Sequence, residues 1–206
     1  IKILNDISFD LFKGETLGIV GESGSGKSTI AKSILGLIEV NNGEILFKNK
    51  NRNQISNSLF RKKVQLIFQD PYSSLNPEIS IGSSIIEPMI AHKIFGSKYE
   101  MECRAIELLN QVGLSKNDYK KFPNQFSGGQ RQRIVIARAL ALNPEVIICD
   151  ESVSALDVSI QAQILNLLSD LKEKYLFTFL FISHDMSVIK YFTDRLIVLK
   201  KGKIIN

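Results

Sequence analysis

Gly21-Glu22-Ser23-Gly24-Ser25-Gly26-Lys27-Ser28-Thr29 completes the pattern GxxxxGK[ST]. An apolar run over 17–20 leads into it, and a helical pattern (Ile30, Ile34, Leu35, Leu37) leaves it. Strand, glycine loop and helix in that order make a cradle for phosphate. Glycines carry no Cβ, so successive backbone N–H groups can curl inward around an anion. Lys27 is placed to reach the β- and γ-phosphates as a mobile point charge. The Ser28 hydroxyl is suited to Mg²⁺, and the helix dipole adds attraction for the anion. Read alone, the stretch also fits a glycine turn that merely joins strand to helix.

Outward from the loop, apolar strands alternate with helical patterns. Upstream, Ile7, Phe9 and Leu11 alternate with Ser8 and Asp10, which predicts a half-buried strand. Downstream, Asn41-Asn42-Gly43 is a turn, 44–47 a short strand, 48–58 a polar loop and 64–68 a strand that ends on Gln69. The stretch 70–77, rich in Pro, Ser and Asn, reads as loop. Helical patterns over 83–92 and 99–112 follow with no strand between them, so 71–124 is expected to be a helical lobe inserted into an α/β core of 1–70 and 125–206. Beyond it come a helix over 128–142, a strand over 146–150, a helix over 158–175, strands over 178–183 and 195–199, and a short helix over 186–192. Such alternation implies a mainly parallel sheet covered on both faces.

The composition sets outer bounds. At 206 residues and 44% hydrophobic content, the chain suits one α/β domain, and its formal charge of +5 is scattered rather than gathered into a basic block. Two cysteines, Cys103 and Cys149, suggest neither a disulfide framework nor a metal cluster. No apolar run approaches the ~18 residues of a membrane span, so work at a membrane is expected to go through a partner. The chain begins without Met inside an apolar segment (Ile1, Ile3, Leu4) and stops soon after a strand-like run, which reads as a domain cut from a longer protein.

Two further groups bear on chemistry. The run 146–149 is apolar and ends in Asp150-Glu151, at a strand tip where open α/β sheets place ligands. Asp150 is suited to hold Mg²⁺ and Glu151 to polarise an attacking water; a solvated Asp-Glu turn is the plainer reading. Phe126-Ser127-Gly128-Gly129-Gln130 opens a helix, either as an ordinary cap by Ser127 or as a second anion site.

Taken in order, these residues resemble the nucleotide-binding subunit of ATP-binding cassette (ABC) transporters. The matching motifs are the Walker A loop at 21–28, Gln69 as the Q-loop, the signature Phe126 to Gln130, Walker B ending in Asp150-Glu151, Ser154-Ala155-Leu156-Asp157 as the D-loop, and His184 as the switch histidine. The resemblance implies a P-loop NTPase (RecA-like) core with an inserted helical subdomain and a small N-terminal antiparallel β region. It implies ATP and Mg²⁺ as cofactors, with residues 21–29 on the phosphates and Ser28, Gln69 and Asp150 around the metal. Glu151 is expected to be the general base, with His184 on the γ-phosphate and Gln69 touching Mg²⁺ or the water. Ser127, Gly128, Gly129 and Gln130 are expected to meet ATP held by a second ABC ATPase subunit, and Asp157 to link the two sites.

Within the family, 68–77 and 154–163 look most like the dipeptide, oligopeptide and nickel importers, and among these the F-type subunit. That likeness implies an ATPase motor at the cytoplasmic face of the membrane, driving uptake of peptides or a related small solute such as a nickel complex or glutathione. Its expected partners are transmembrane permease subunits and, indirectly, an extracytoplasmic substrate-binding protein; no nucleic acid is expected. A soluble ABC ATPase acting on nucleic acid or the ribosome is the alternative. Ser152 departs from the Pro most members carry, which bears on the stiffness beside Glu151. By the family's spacing, the resemblance implies that the aromatic that stacks on adenine is to be expected just before Ile1, and the C-terminal extension typical of peptide importers is not within 1–206.

Overall fold

The computed structural model describes residues 3–205, so the expectations at Ile1 and Asn206 lie outside the described residues. Contacts divide the chain into two units. The first takes the chain up to Leu66, Glu145–Glu151 and the chain from Leu176 onward; the second takes Ile67–Pro144 and Ser152–Tyr175.

The first unit is built on strands β1 (Thr16–Val20), β4 (Val64–Ile67), β5 (Val146–Asp150), β6 (Thr178–Ser183), β7 (Arg195–Lys200) and β8 (Lys203–Ile205), in the spatial order β4-β5-β6-β1-β7-β8. β1 runs parallel to β6 and β7, and β5 parallel to β6, while β8 turns back antiparallel on β7. β1 and β6 are buried along their whole length, as strands covered on both faces must be. Leu17, Ile19, Ile148, Leu180 and Ile182 from the strands pack with Ile30 and Ala31 of α1 (Lys27–Ile34) and with Phe60 of α2 (Asn57–Lys63). The register sets Val20 beside Ser183 and Ile182 beside Asp150. One row of strand ends therefore delivers the phosphate loop, Glu151 and His184 to the same edge.

The C-terminus of α1 closes through two backbone bonds, Leu37 N–H to Lys32 O at 2.8 Å and Gly36 N–H to Ser33 O at 3.0 Å. Gly36 sits at φ 69, a left-handed position that favours glycine in this type of helix stop.

Helices make up the second unit: α3 (Pro71–Ser74), α4 (Ile81–Ala91), α5 (Lys98–Gln111), α6 (Gly128–Leu140) and α7 (Val158–Tyr175). Side chains cap them as the sequence demands. Ser97 with Glu100 and Ser127 with Gln130 form capping boxes on α5 and α6, and Asp70 caps α3. The Arg131 guanidinium lies 3.9 Å from the Tyr72 ring centroid, and Arg138 donates to Ser74 O at 2.8 Å and to Glu87 at 2.9 Å. Two arginines of α6 thus fasten the turn that follows Gln69. α8 (Met186–Phe192), in the first unit, is capped by Asp185.

Three local expectations change. Residues 7–11 alternate in burial as expected, yet form no strand among the described residues: period-2 burial alone does not supply the partner ladder that makes a strand. The antiparallel β pairing near the N-terminal side is instead the hairpin of β2 (Leu46–Phe47) and β3 (Lys50–Asn51). The polar stretch 48–58 therefore folds, with Lys48 and Asn49 at φ 53 and 61 making its turn and Arg52–Gln54 a 3₁₀ turn. The stretch 70–77 holds the turn α3, because Asp70 accepts from Tyr72 N–H at 2.8 Å and Pro71 suits the first helical position.

Candidate functional site

The phosphate loop is shaped by glycine at two kinds of position. Gly24 and Gly26 adopt φ 77 and 107, where other residues are strained. A Cβ on Gly21 would run into the backbone oxygen of Leu199 on β7, so that glycine answers a close approach. Within the loop, Ser25 Oγ is buried and has no hydrogen-bond partner. An orphaned hydroxyl inside a nest of N–H groups fits an anion's oxygen atoms.

Lys27 is the first residue of α1 and only 4% exposed. Its ammonium donates to Gly21 O at 2.7 Å and Glu22 O at 3.0 Å, and it lies 3.8 Å from Glu151 Oε1. The next residue, Ser28, donates its hydroxyl to Asp150 Oδ1 at 3.0 Å. Burial pushes the Asp150 carboxyl above its ordinary pKa, with the Glu151 charge adding to the rise. The Ser28 bond and the charges of Lys32 and Lys27 oppose it. A buried carboxylate beside a serine hydroxyl is a hard-oxygen pair that fits a divalent cation.

Glu151 leaves β5 at φ 51, a left-handed conformation uncommon outside glycine. Its N–H is held by Ile182 O at 2.9 Å, and its Oε2 lies 3.1 Å from His184 Nδ1, just past the end of β6. Strain of this kind, held by surrounding bonds, is typical of reactive positions. The first unit therefore brings together the loop, Lys27, Ser28, Asp150, Glu151 and His184.

The second unit carries the remaining expected residues. Gln69 donates through Nε2 to Ser154 Oγ at 3.3 Å. Ser127 accepts from Gln130 N–H at 3.3 Å, while the Gln130 side chain accepts from Ser127 N–H at 3.0 Å. Gly128 and Gly129 open α6, and a Cβ on Gly129 would come within 2.6 Å of Ile160 Cγ2 on α7. Asp157 is exposed at the start of α7, its carbonyl accepting from Gln161 N–H at 2.8 Å. Sequence reasoning missed Ser154 as the partner of Gln69. Nothing in the chain signals a bond across 85 positions.

The family model described as "ABC transporter" matches residues 4–154. The oligopeptide transport ATP-binding protein OppF of Bacillus subtilis (strain 168) is 51% identical over 210 residues, covering all of this chain and 69% of that protein. The glutathione import ATP-binding protein GsiA of Pectobacterium atrosepticum is 48% identical over 209 residues, and this chain spans 33% of it. Among solved structures, the dimeric post-hydrolysis state of the ATP-binding cassette MJ0796 bound to ADP and phosphate superposes with TM-score 0.85 at 33% identity, over 99% of this chain and 89% of that one. The chain belongs to the ABC transporter family. It has the P-loop NTPase fold and is a nucleotide-binding ATPase domain of that family, of the group that includes the ATP-binding proteins of peptide and glutathione importers.

Proposed function

We propose that this chain hydrolyses ATP to power an importer of peptides or a related small solute, such as glutathione or a nickel complex, from the cytoplasmic face of the membrane. The observation that carries the reading is the convergence, at one row of strand ends, of a glycine loop with Lys27, the Ser28–Asp150 pair and the Glu151–His184 pair. The two relatives described above are an oligopeptide transport ATP-binding protein and a glutathione import ATP-binding protein. No described helix is long and apolar enough to cross a membrane, so permease subunits would supply the path, served by an extracytoplasmic binding protein.

In this reading residues 21–29 wrap the phosphates, and the Lys27 ammonium exchanges the carbonyls of Gly21 and Glu22 for phosphate oxygens. Ser28 and Asp150 would hold Mg²⁺, whose charge would offset that of the phosphates, and Gln69 keeps its expected role toward the metal or the water. Glu151 orients the attacking water and accepts its proton, and His184 fixes the Glu151 carboxylate and then bonds to the γ-phosphate. The lobe 71–124 answers to the membrane subunits, while the core of 1–70 and 125–206 handles nucleotide. Ser127, Gly128, Gly129 and Gln130 complete the site of a second ATPase subunit, and Asp157 joins the two sites.

The test is Glu151→Gln, which keeps the side chain's shape but removes the base. Steady-state hydrolysis is expected to fall by about 10²–10⁴-fold with ATP still bound. Turnover near the wild-type rate would remove Glu151 from the mechanism.

A further inference from the structure

Behind the C-terminus of α1 lies a cavity of about 340 Å³, at the lower end of the ~300–1,000 Å³ usual for small-molecule sites. Its wall includes Gly36, Glu39, Glu44, Arg52 and Asn57, all within the first unit. No role in phosphate chemistry has been assigned to any of them.

Arg52 is the unusual member. It is 7% exposed, and burial, followed by the nearby Arg61 charge, lowers its pKa. A buried guanidinium ordinarily meets a carboxylate, because an unpaired buried charge is costly. Here Nη1 donates to Ile55 O at 3.2 Å and Nη2 to Asn57 Oδ1 at 2.6 Å, both neutral acceptors. Nε has no partner at all. Nε is also sealed from solvent, so the donors left for a ligand are the second hydrogens of Nη1 and Nη2. The Phe60 ring packs over the guanidinium, its centroid 4.1 Å from the guanidinium carbon. Gly36 leaves the Nη2 side clear: a Cβ there would stand 3.2 Å from Nη2. A planar, preorganised cation with spare donors suits a carboxylate, which takes two parallel N–H bonds.

The rest of the wall narrows the ligand. Glu39 and Glu44 are exposed carboxylates on the same cavity, and Glu44 is steadied by Asn51, which donates to its Oε2 at 3.1 Å. Two acids repel a phosphate dianion but welcome an ammonium group. Apolar stretches of wall from Ile38, Val40 and Ile45 leave room for a side chain. We infer that this cavity binds a small zwitterion, a short peptide or free amino acid, with its carboxylate on Arg52 and its ammonium on Glu39 and Glu44. The site depends on none of the nucleotide-binding residues, so it stands or falls separately from the ATPase reading.

Isothermal titration of the purified protein with L-alanyl-L-alanine tests this, against the C-terminal amide, the N-acetyl form and inorganic phosphate. Dialanine is expected to bind, and each blocked form to bind at least about tenfold more weakly, the loss of a charged contact worth about 1.4 kcal/mol. Glu44→Gln should weaken dialanine but leave the N-acetyl form unchanged, whereas Arg52→Gln should weaken dialanine by at least as much as the amide is weakened and abolish binding of the N-acetyl form. ATP affinity serves as the check that each variant is folded; if Arg52→Gln fails that check, the blocked peptides on the wild-type protein decide. No dialanine binding at millimolar concentration overturns the proposal. So do equal affinities for dialanine and its amide, or binding of phosphate in preference to dialanine.

Discussion

At the scale of single residues, Asp150 shows stability and function pulling in opposite directions. Its carboxyl is held above its ordinary pKa chiefly by burial. In the window between the unfolded and folded pKa values the folded state binds more protons. Stability therefore falls as pH rises through that window and stays lower above it. Asp150→Asn removes the charge and leaves an oxygen that can still accept from Ser28. The variant should melt higher than wild type at pH 7–8 without nucleotide, each kcal/mol recovered being about 2–4 °C for a chain of this size. That gain should shrink to nothing below the ordinary carboxyl range, where wild-type Asp150 is itself neutral. Mg²⁺-dependent hydrolysis should be lost at the same time. Melting curves from pH 3 to pH 8 check the first part, and a higher melting point for wild type at pH 8 would contradict it. Glu145 has the opposite sign, because bonds to Lys48 and Lys63 outweigh its burial and hold its carboxyl below the ordinary range. Its contribution is present above the unfolded pKa and is lost as pH falls through the folded one. Lys63→Met should therefore destabilise the protein near neutral pH more than at pH 3, by the roughly 0–1 kcal/mol of a partly exposed pair.

At the scale of elements, the first turn of α6 depends on contact with α7. A Cβ on Gly129 would reach 2.6 Å from Ile160 Cγ2, a short branched group with little room to yield. Gly129→Ala should cost about 1–3 kcal/mol through overpacking, less the roughly 1 kcal/mol that alanine recovers in helix propensity. Adding Ile160→Ala should restore α6 in the double variant, a coupling that a double-mutant cycle of melting free energies reads directly. Additive losses would mean that the two helices do not meet there. Elements of this kind are also where the sequence was most legible. The apolar stripe of α7 and the runs of β6 and α8 give Val158–Tyr175, Thr178–Ser183 and Met186–Phe192, the bounds expected from periodicity. Short pieces escaped because their signals are short. Lys50–Asn51 has two residues and depends on left-handed Lys48 and Asn49, which polarity alone does not announce. The site was legible as motifs, since loop, carboxylates and histidine each end a strand. The pairing of Glu151 with His184 and of Gln69 with Ser154 was not, because it is decided by register and packing between distant segments.

At the scale of the whole molecule, the expected chemistry is divided between two chains. The loop, Lys27, Asp150, Glu151 and His184 are proposed to bind the phosphate and activate water, whereas Ser127 and Gly129 are proposed to serve the nucleotide of a neighbour. The structure of MJ0796 named above is a dimer with bound ADP and phosphate. If hydrolysis belongs to pairs, specific activity should rise with protein concentration and level off once dimers predominate. Two defective chains then make a sharper experiment. Ser127→Arg puts a long cation where the neighbour's phosphate must be approached, while leaving that chain's own loop intact. Lys27→Ala removes the phosphate charge but leaves Ser127 in place. Each variant alone should be inactive, for every site in its homodimer contains one defect. Mixed in equal amounts, half of the dimers are heterodimers if pairing is random. Each heterodimer carries one site with both defects and one site with neither. The mixture should therefore recover up to about one quarter of wild-type activity per chain, if the intact site works alone at its ordinary rate and nucleotide exchange between chains is fast. Sedimentation in the presence of ATP confirms that heterodimers form. Recovery with no dimer detectable, or undiminished activity from a Ser127→Arg protein shown to be monomeric, would place the whole reaction within one chain and leave Ser127 an ordinary helix cap.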